Sequence, residues 1–280
     1  MNSLTFAINR MVSPRRPLDD FLRLARAGGA EAVEIRNDIA GQEFADGTPA
    51  YDLKRRIEDA GLKVASINAL QRFNDWTPER EREATALIRY ARDLGAPGIV
   101  LCPVIDAAHG WSDIELGDML RASLRGLKPI LSDHGVIGYV EPLGMIDSTL
   151  RRQNIAAAAL DEIDGRGSFQ ICYDTFQHFR ASDTETFPEW IGLVHVSGIT
   201  RADLSREELT EPDRGLVDEG DITGVISRLR ALRDSGYAGF VSVEPFDPKV
   251  WDDPDLEAAL RACIACMKNA LIAEPGEAGR

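Results

Sequence analysis

Eight short apolar runs, each followed by a longer amphipathic stretch, constrain the fold of this chain more than any other feature. The runs are Leu4–Ile8, Ala32–Ile35, Lys63–Ile67, Gly98–Cys102, Gly138–Val140, Phe169–Tyr173, Gly192–Val196 and Phe240–Val243. Between them apolar residues recur at three- and four-residue spacing, the period of a helix with one buried face. The stretch after Pro17 is an example, with proline in its first turn and Gly28-Gly29 at its stop. Strands alternating with helices imply right-handed crossovers and a parallel α/β sheet. Eight such units in 280 residues favour a single closed (β/α)8 barrel over an open doubly wound sheet. The open sheet also lacks its usual glycine signatures, since no Gly-x-Gly-x-x-Gly follows the first run and no phosphate-loop motif occurs.

Four polar side chains stand at the ends of these apolar runs: Glu141, Asp174, His195 and Glu244. A carboxylate in such surroundings is costly to bury without a partner. Taken singly, each has a plainer reading, the acids as solvated loop residues and the histidine as a hydrogen-bonded core residue. Together they occupy strands five to eight. Active sites of (β/α)8 barrels lie at the C-terminal strand ends, and consecutive strands are neighbours around that rim, so the four converge. Three carboxylates and one imidazole suit one divalent ion, Mn²⁺, Zn²⁺, Co²⁺ or Mg²⁺, with positions left for water or substrate.

The formal net charge of -14 argues against a nucleic-acid partner and against an anionic membrane surface. No apolar run approaches membrane-spanning length, and the first residues lack the pattern of a secretory signal. Cys102 and Cys172 lie in apolar runs, where a thiol behaves as a small hydrophobe. Cys263 and Cys266 lie in the last helical pattern with no second ligand pair. These features fit the reducing cytoplasm. Residues 1–273 read as one barrel domain and residues 274–280 as a frayed tail. The polar connection from Ser197 to Ile222 is long enough to suggest a lid.

The stretches Glu34-Ile-Arg, Ser66-Ile-Asn-Ala-Leu-Gln-Arg-Phe-Asn, Asp174-Thr-Phe, Val194-His-Val and Val241-Ser-Val-Glu-Pro-Phe resemble the xylose isomerase-like TIM barrels over nearly the whole chain. The likeness is greatest to the inosose (2-keto-myo-inositol) isomerase branch. It implies that Glu141, Asp174, His195 and Glu244 bind the metal. Two departures fall beside them. The family often carries Asp-x-x-His after strand six, where this chain has Gln177 and then His178. An Arg-x-x-Pro-Gly-x-Gly segment becomes Arg214-Gly-Leu-Val-Asp-Glu-Gly.

The chemistry so implied is isomerisation or epimerisation of a keto-polyol or keto-sugar through an enediolate, with Glu141 and Glu244 as the proton carriers. A dehydratase on the same site is the alternative, with His178 as acid for the leaving hydroxyl. A nuclease is disfavoured by charge and by the scarcity of histidine, and a non-catalytic sugar-binding barrel by the intact ligand set. His178, Arg214, Asn68 and Gln177 are the candidate substrate contacts, with Arg10 and Arg36 lining the far side of the mouth. Glu34 and Arg36 share a strand face and read as a structural ion pair. Phe73, Asn74, Trp76 and Trp111 are candidates for shaping the pocket. The resemblance also implies that a dimer or tetramer is common in such barrels.

Overall fold

A computed structural model describes residues 4–272. Its parallel strands are β1 (Thr5–Asn9), β2 (Ala32–Arg36), β3 (Lys63–Leu70), β4 (Gly98–Leu101), β5 (Ile137–Val140), β6 (Phe169–Asp174), β7 (Ile191–Val196) and β8 (Phe240–Val243). They close in sequence order, with β8 pairing back onto β1. The expected single (β/α)8 barrel is therefore the observed one. Helices α1 (Leu18–Ala27), α2 (Ala50–Asp59), α3 (Pro78–Leu94), α4 (Asp113–His134), α5 (Gln153–Glu162), α6 (Thr175–Arg180), α7 (Val225–Asp234), α8 (Pro248–Trp251) and α9 (Leu256–Ile272) connect or flank the strands. Among the described residues no helix is long and apolar enough to cross a membrane. The segment read as a frayed tail, 274–280, lies outside the described residues.

Alternation along each strand sorts the side chains into two compartments. Phe6, Ile8, Val33, Ile35, Ile99, Ile171, Tyr173, Val194 and Val241 pack outward under the helices. Val100, Tyr139, Cys172 and Leu193 fill the barrel interior, and Ala7, Ala32 and Ala65 form a small-residue patch there. Phe240 packs against both sets, so small side chains on the first three strands accommodate a large one on the eighth. Gly95 and Gly135 end α3 and α4 in the left-handed region, at φ 81° and 63°, where the sequence predicts helix stops.

Four strands run past their apolar runs, β1 to Asn9, β2 to Arg36, β3 to Leu70 and β6 to Asp174. The added residues include polar ones whose side chains are hydrogen bonded inside the barrel, which removes the cost of burying them. The connection after β7 is a fastened strap. Gly198 and Gly215 exchange backbone hydrogen bonds at 2.9 Å, and the Arg214 carbonyl accepts from the amides of Phe246 and Asp247, both at 2.8 Å. Ile199 and Leu209 bury themselves against Phe176 beneath it.

Candidate metal centre

Glu141, Asp174, His195 and Glu244 meet at the C-terminal mouth, each able to offer one ligand atom within 4.8 Å of the others. All four are buried. Each arrives by a local rule. Asp174 ends β6 and caps α6, its Oδ1 accepting the amides of Phe176 at 2.8 Å and Gln177 at 3.1 Å. His195 pairs across the sheet with Asp174 on one side and Ser242 on the other. Glu141 and Glu244 follow β5 and β8 directly, and their amides bond to Leu101 and Val196 of the preceding strands.

His195 Nδ1 lies 2.9 Å from Glu141 Oε1 and 3.3 Å from Glu244 Oε2, while Nε2 lies 3.0 Å from Glu34 Oε1. Glu244 Oε1 accepts from Arg36 at 2.9 Å and from Asn9 and Asn68 at 3.1 Å each. Arg214 bridges Asp174 Oδ2 at 2.8 Å and Glu244 Oε2 at 3.0 Å. Its guanidinium is held between the rings of Phe176 and Phe246, 5.0 and 4.7 Å from their centroids. Buried Cys102 and Cys172 are thiols, because burial pushes both well above the usual thiol range, and both donate to Glu141.

The two carboxyls on either side of His195 are driven apart. Burial and the neighbouring Glu141 push Glu244 up to about 7, against the pull of His195 and Arg214. Burial also works on Glu141, but His195 and Arg214 outweigh it and hold that carboxyl below its ordinary range. Burial raises Asp174 despite its pairing with Arg214. Three carboxylates and one imidazole make a donor set that could hold a divalent ion through mixed oxygen and nitrogen ligands.

Other expectations meet a different geometry. Glu34 and Arg36 do not pair with each other. Glu34 sits deeper, among donors from β1, β3, β7 and β8, while Arg36 reaches Glu244 and Asp38. Arg10 does not line the mouth: strand alternation turns Asn9 inward, and Arg10 pairs with Glu43 at 2.6 Å and lies over Phe21. His178 is packed edge-on against Tyr173, on the helix-facing side of β6, and lies 3.9 Å from Asp183. Gln177 spends its amide on the backbone of Gly144 and on Glu211, tying the loop after β5 to the strap. Asn74 links Val104 and Thr149, and Trp76 packs on Gly126 of α4, so both are structural. Trp111 stacks with His109 in a loop.

Asn9 and Glu34 are the residues that sequence reasoning left out of the site. Their signal is a polar side chain at the inward parity of an apolar strand. Glu34 is held at about 2: burial alone would raise it, but His195, Ser242 and Ser66 reverse the sign. A carboxyl lowered on folding contributes stability that is complete above its unfolded value of 4.5 and is lost as pH falls toward 2. Melting temperatures of metal-free protein should therefore drop steeply from about pH 5 to about pH 3, and Glu34→Gln should flatten that limb.

Residues 22–270 match the family of xylose isomerase-like TIM barrels, and the chain belongs to it. The inosose isomerase of Halalkalibacterium halodurans is 24% identical over 248 residues, 82% of this chain and 83% of that protein. A xylose isomerase domain containing protein from Salmonella typhimurium superposes with a TM-score of 0.84 at 28% identity, covering 96% of this chain and 97% of that one. The fold is also that of the IolI protein solved with a bound zinc atom, at TM-score 0.84, 20% identity and 96% and 98% coverage.

Proposed function

We propose that this protein is a divalent-metal-dependent isomerase or epimerase of a keto-polyol or keto-sugar, with inososes the favoured class. The observation that carries the reading is the convergence of Glu141, Asp174, His195 and Glu244 within 4.8 Å at the barrel mouth. The relationship to an inosose isomerase supports the substrate class. A divalent ion held by these four residues would polarise a carbonyl and its neighbouring hydroxyl and acidify the carbon–hydrogen bond between them. Glu141 and Glu244, which directly follow β5 and β8, would be the two carboxylates beside that bond. One removes the proton, and the other returns it at the adjacent carbon or opposite face. Arg214 and Asn68 are the donors in reach of substrate oxygens, since both already bond to Glu244. Phe176 and Phe246 keep water from the guanidinium.

The dehydratase alternative needs an acid at the leaving hydroxyl, and His178 is held against Tyr173 and Asp183 instead. An NMR screen of inososes and ketoses in D₂O with added Zn²⁺ tests the choice. Deuterium should enter at one carbon of the true substrate and a ketose or epimer should accumulate. Loss of water with a new enone absorbance would overturn the isomerase reading, as would the absence of exchange across the whole panel.

A further inference from the structure

Glu34 is a fully buried carboxylate with no place in the ligand set, yet every one of its acceptor positions is used. Oε1 accepts from Ser66 Oγ at 2.7 Å and faces His195 Nε2 at 3.0 Å. Oε2 accepts from Asn9 Nδ2 at 2.9 Å and Ser242 Oγ at 2.6 Å. The Asn9 NH₂ can only donate, and both serine hydroxyls are placed to donate to the ionised carboxylate, which makes Glu34 an acceptor on both oxygens. Its fourth partner must then bring the proton, so His195 carries hydrogen on Nε2. The other ring nitrogen is left pointing at Glu141 and Glu244. Asn9 extends the arrangement, because its amide also donates to Glu244 Oε1.

We infer that Glu34 is the positioning residue of the metal centre: it holds the proton on Nε2 of His195, so that Nδ1, facing Glu141 and Glu244, is the nitrogen that gives up its proton to a metal. The inference rests on the metal-site reading above. A histidine ligand whose second nitrogen donates to a carboxylate is fixed in orientation and made more basic, and losing that partner typically costs about 10–100-fold in metal affinity. Glutamine cannot substitute here, since its NH₂ would meet two of the donors that Glu34 accepts. Glu34 reaches the reaction only through His195, so its role is visible in the imidazole itself.

The test is a ¹⁵N spectrum of the histidine side chains in full-length protein, with and without Zn²⁺. Of the four histidines, the one that responds to zinc should be His195, with zinc on Nδ1 and a strongly hydrogen-bonded proton kept on Nε2. Glu34→Gln should lower zinc affinity by about 10–100-fold and lose the single tautomer. Glu43→Gln, which removes a buried carboxylate that pairs with Arg10 rather than with any of the four candidate ligands, should leave both unchanged. Zinc on Nε2 in the wild type, or wild-type affinity and tautomer in Glu34→Gln, would overturn the inference while leaving the metal site standing. If Glu34→Gln does not fold, the wild-type spectrum alone decides. Failure of the wild type to bind zinc would remove the metal-site reading, and this inference with it.

Discussion

Glu244→Gln should slow substrate deuterium exchange by about 10²–10⁴-fold, the usual contribution of a positioned general base or acid. The same substitution removes a charged ligand, so zinc bound per protein should fall as well. The physical reason lies in the company Glu244 keeps. Its oxygens face two guanidinium groups, two amides and an imidazole, and burial beside Glu141 raises it to about 7, where a carboxyl can both take and give a proton. Glutamine keeps the shape but turns an NH₂ toward some of these donors, leaving Arg36 and Arg214 short of an anion in a buried setting. Glu141→Gln should behave alike in exchange, because its partner cannot complete the transfer alone. Exchange within tenfold of wild type, with full zinc content, would sink the assignment of Glu244.

Arg214→Met should destabilise the metal-free protein by about 3–5 kcal/mol, the cost of breaking a buried ion pair from one side. Asp174 Oδ2 and Glu244 Oε2 both lose their partner, and so does Glu211 at 2.6 Å. Methionine fits between Phe176 and Phe246, so the loss is chiefly one of charge. The melting temperature in a chelator should drop by on the order of 10 °C. Zinc should restore more stability to the variant than it adds to the wild type, since a cation then replaces the missing charge on the same carboxylates. Substrate KM should rise if Arg214 grips a substrate oxygen. Calorimetry with chelator and with zinc checks the first two effects; a variant that melts with the wild type would refute them.

The barrel was legible because its signal repeats. Eight apolar runs at regular spacing survive errors of a residue or two at each end, and glycine helix stops mark the same boundaries independently. The convergence of Glu141, Asp174, His195 and Glu244 was legible for a related reason: each is a polar residue at the end of an apolar run. What escaped was side-chain direction. Arg10 and Asn9 are neighbours, and only the pleat decides that asparagine faces in and arginine out. Glu34 and Arg36 share a face but sit in different layers, so each found closer partners on other strands than on its own. His178 and Gln177 were uncertain because a short helix turns its side chains by about 100° per residue, and one position separates the rim from the helix layer. Arg214 was legible as a candidate substrate contact, but its bridge between Asp174 and Glu244 was not, since nothing in a polar strap announces that its backbone is pinned at both ends.

That pinning has a consequence for how such a barrel can diversify. The strap's anchors are backbone hydrogen bonds at Gly198, Gly215 and the Arg214 carbonyl, whereas most of the span from Arg201 to Glu208 is exposed. Sequence and length there can change without moving the guanidinium that rests on Asp174 and Glu244. The strap thus works as an interchangeable brim on a fixed fitting, its outer span free to vary while the charges seated below it stay in place.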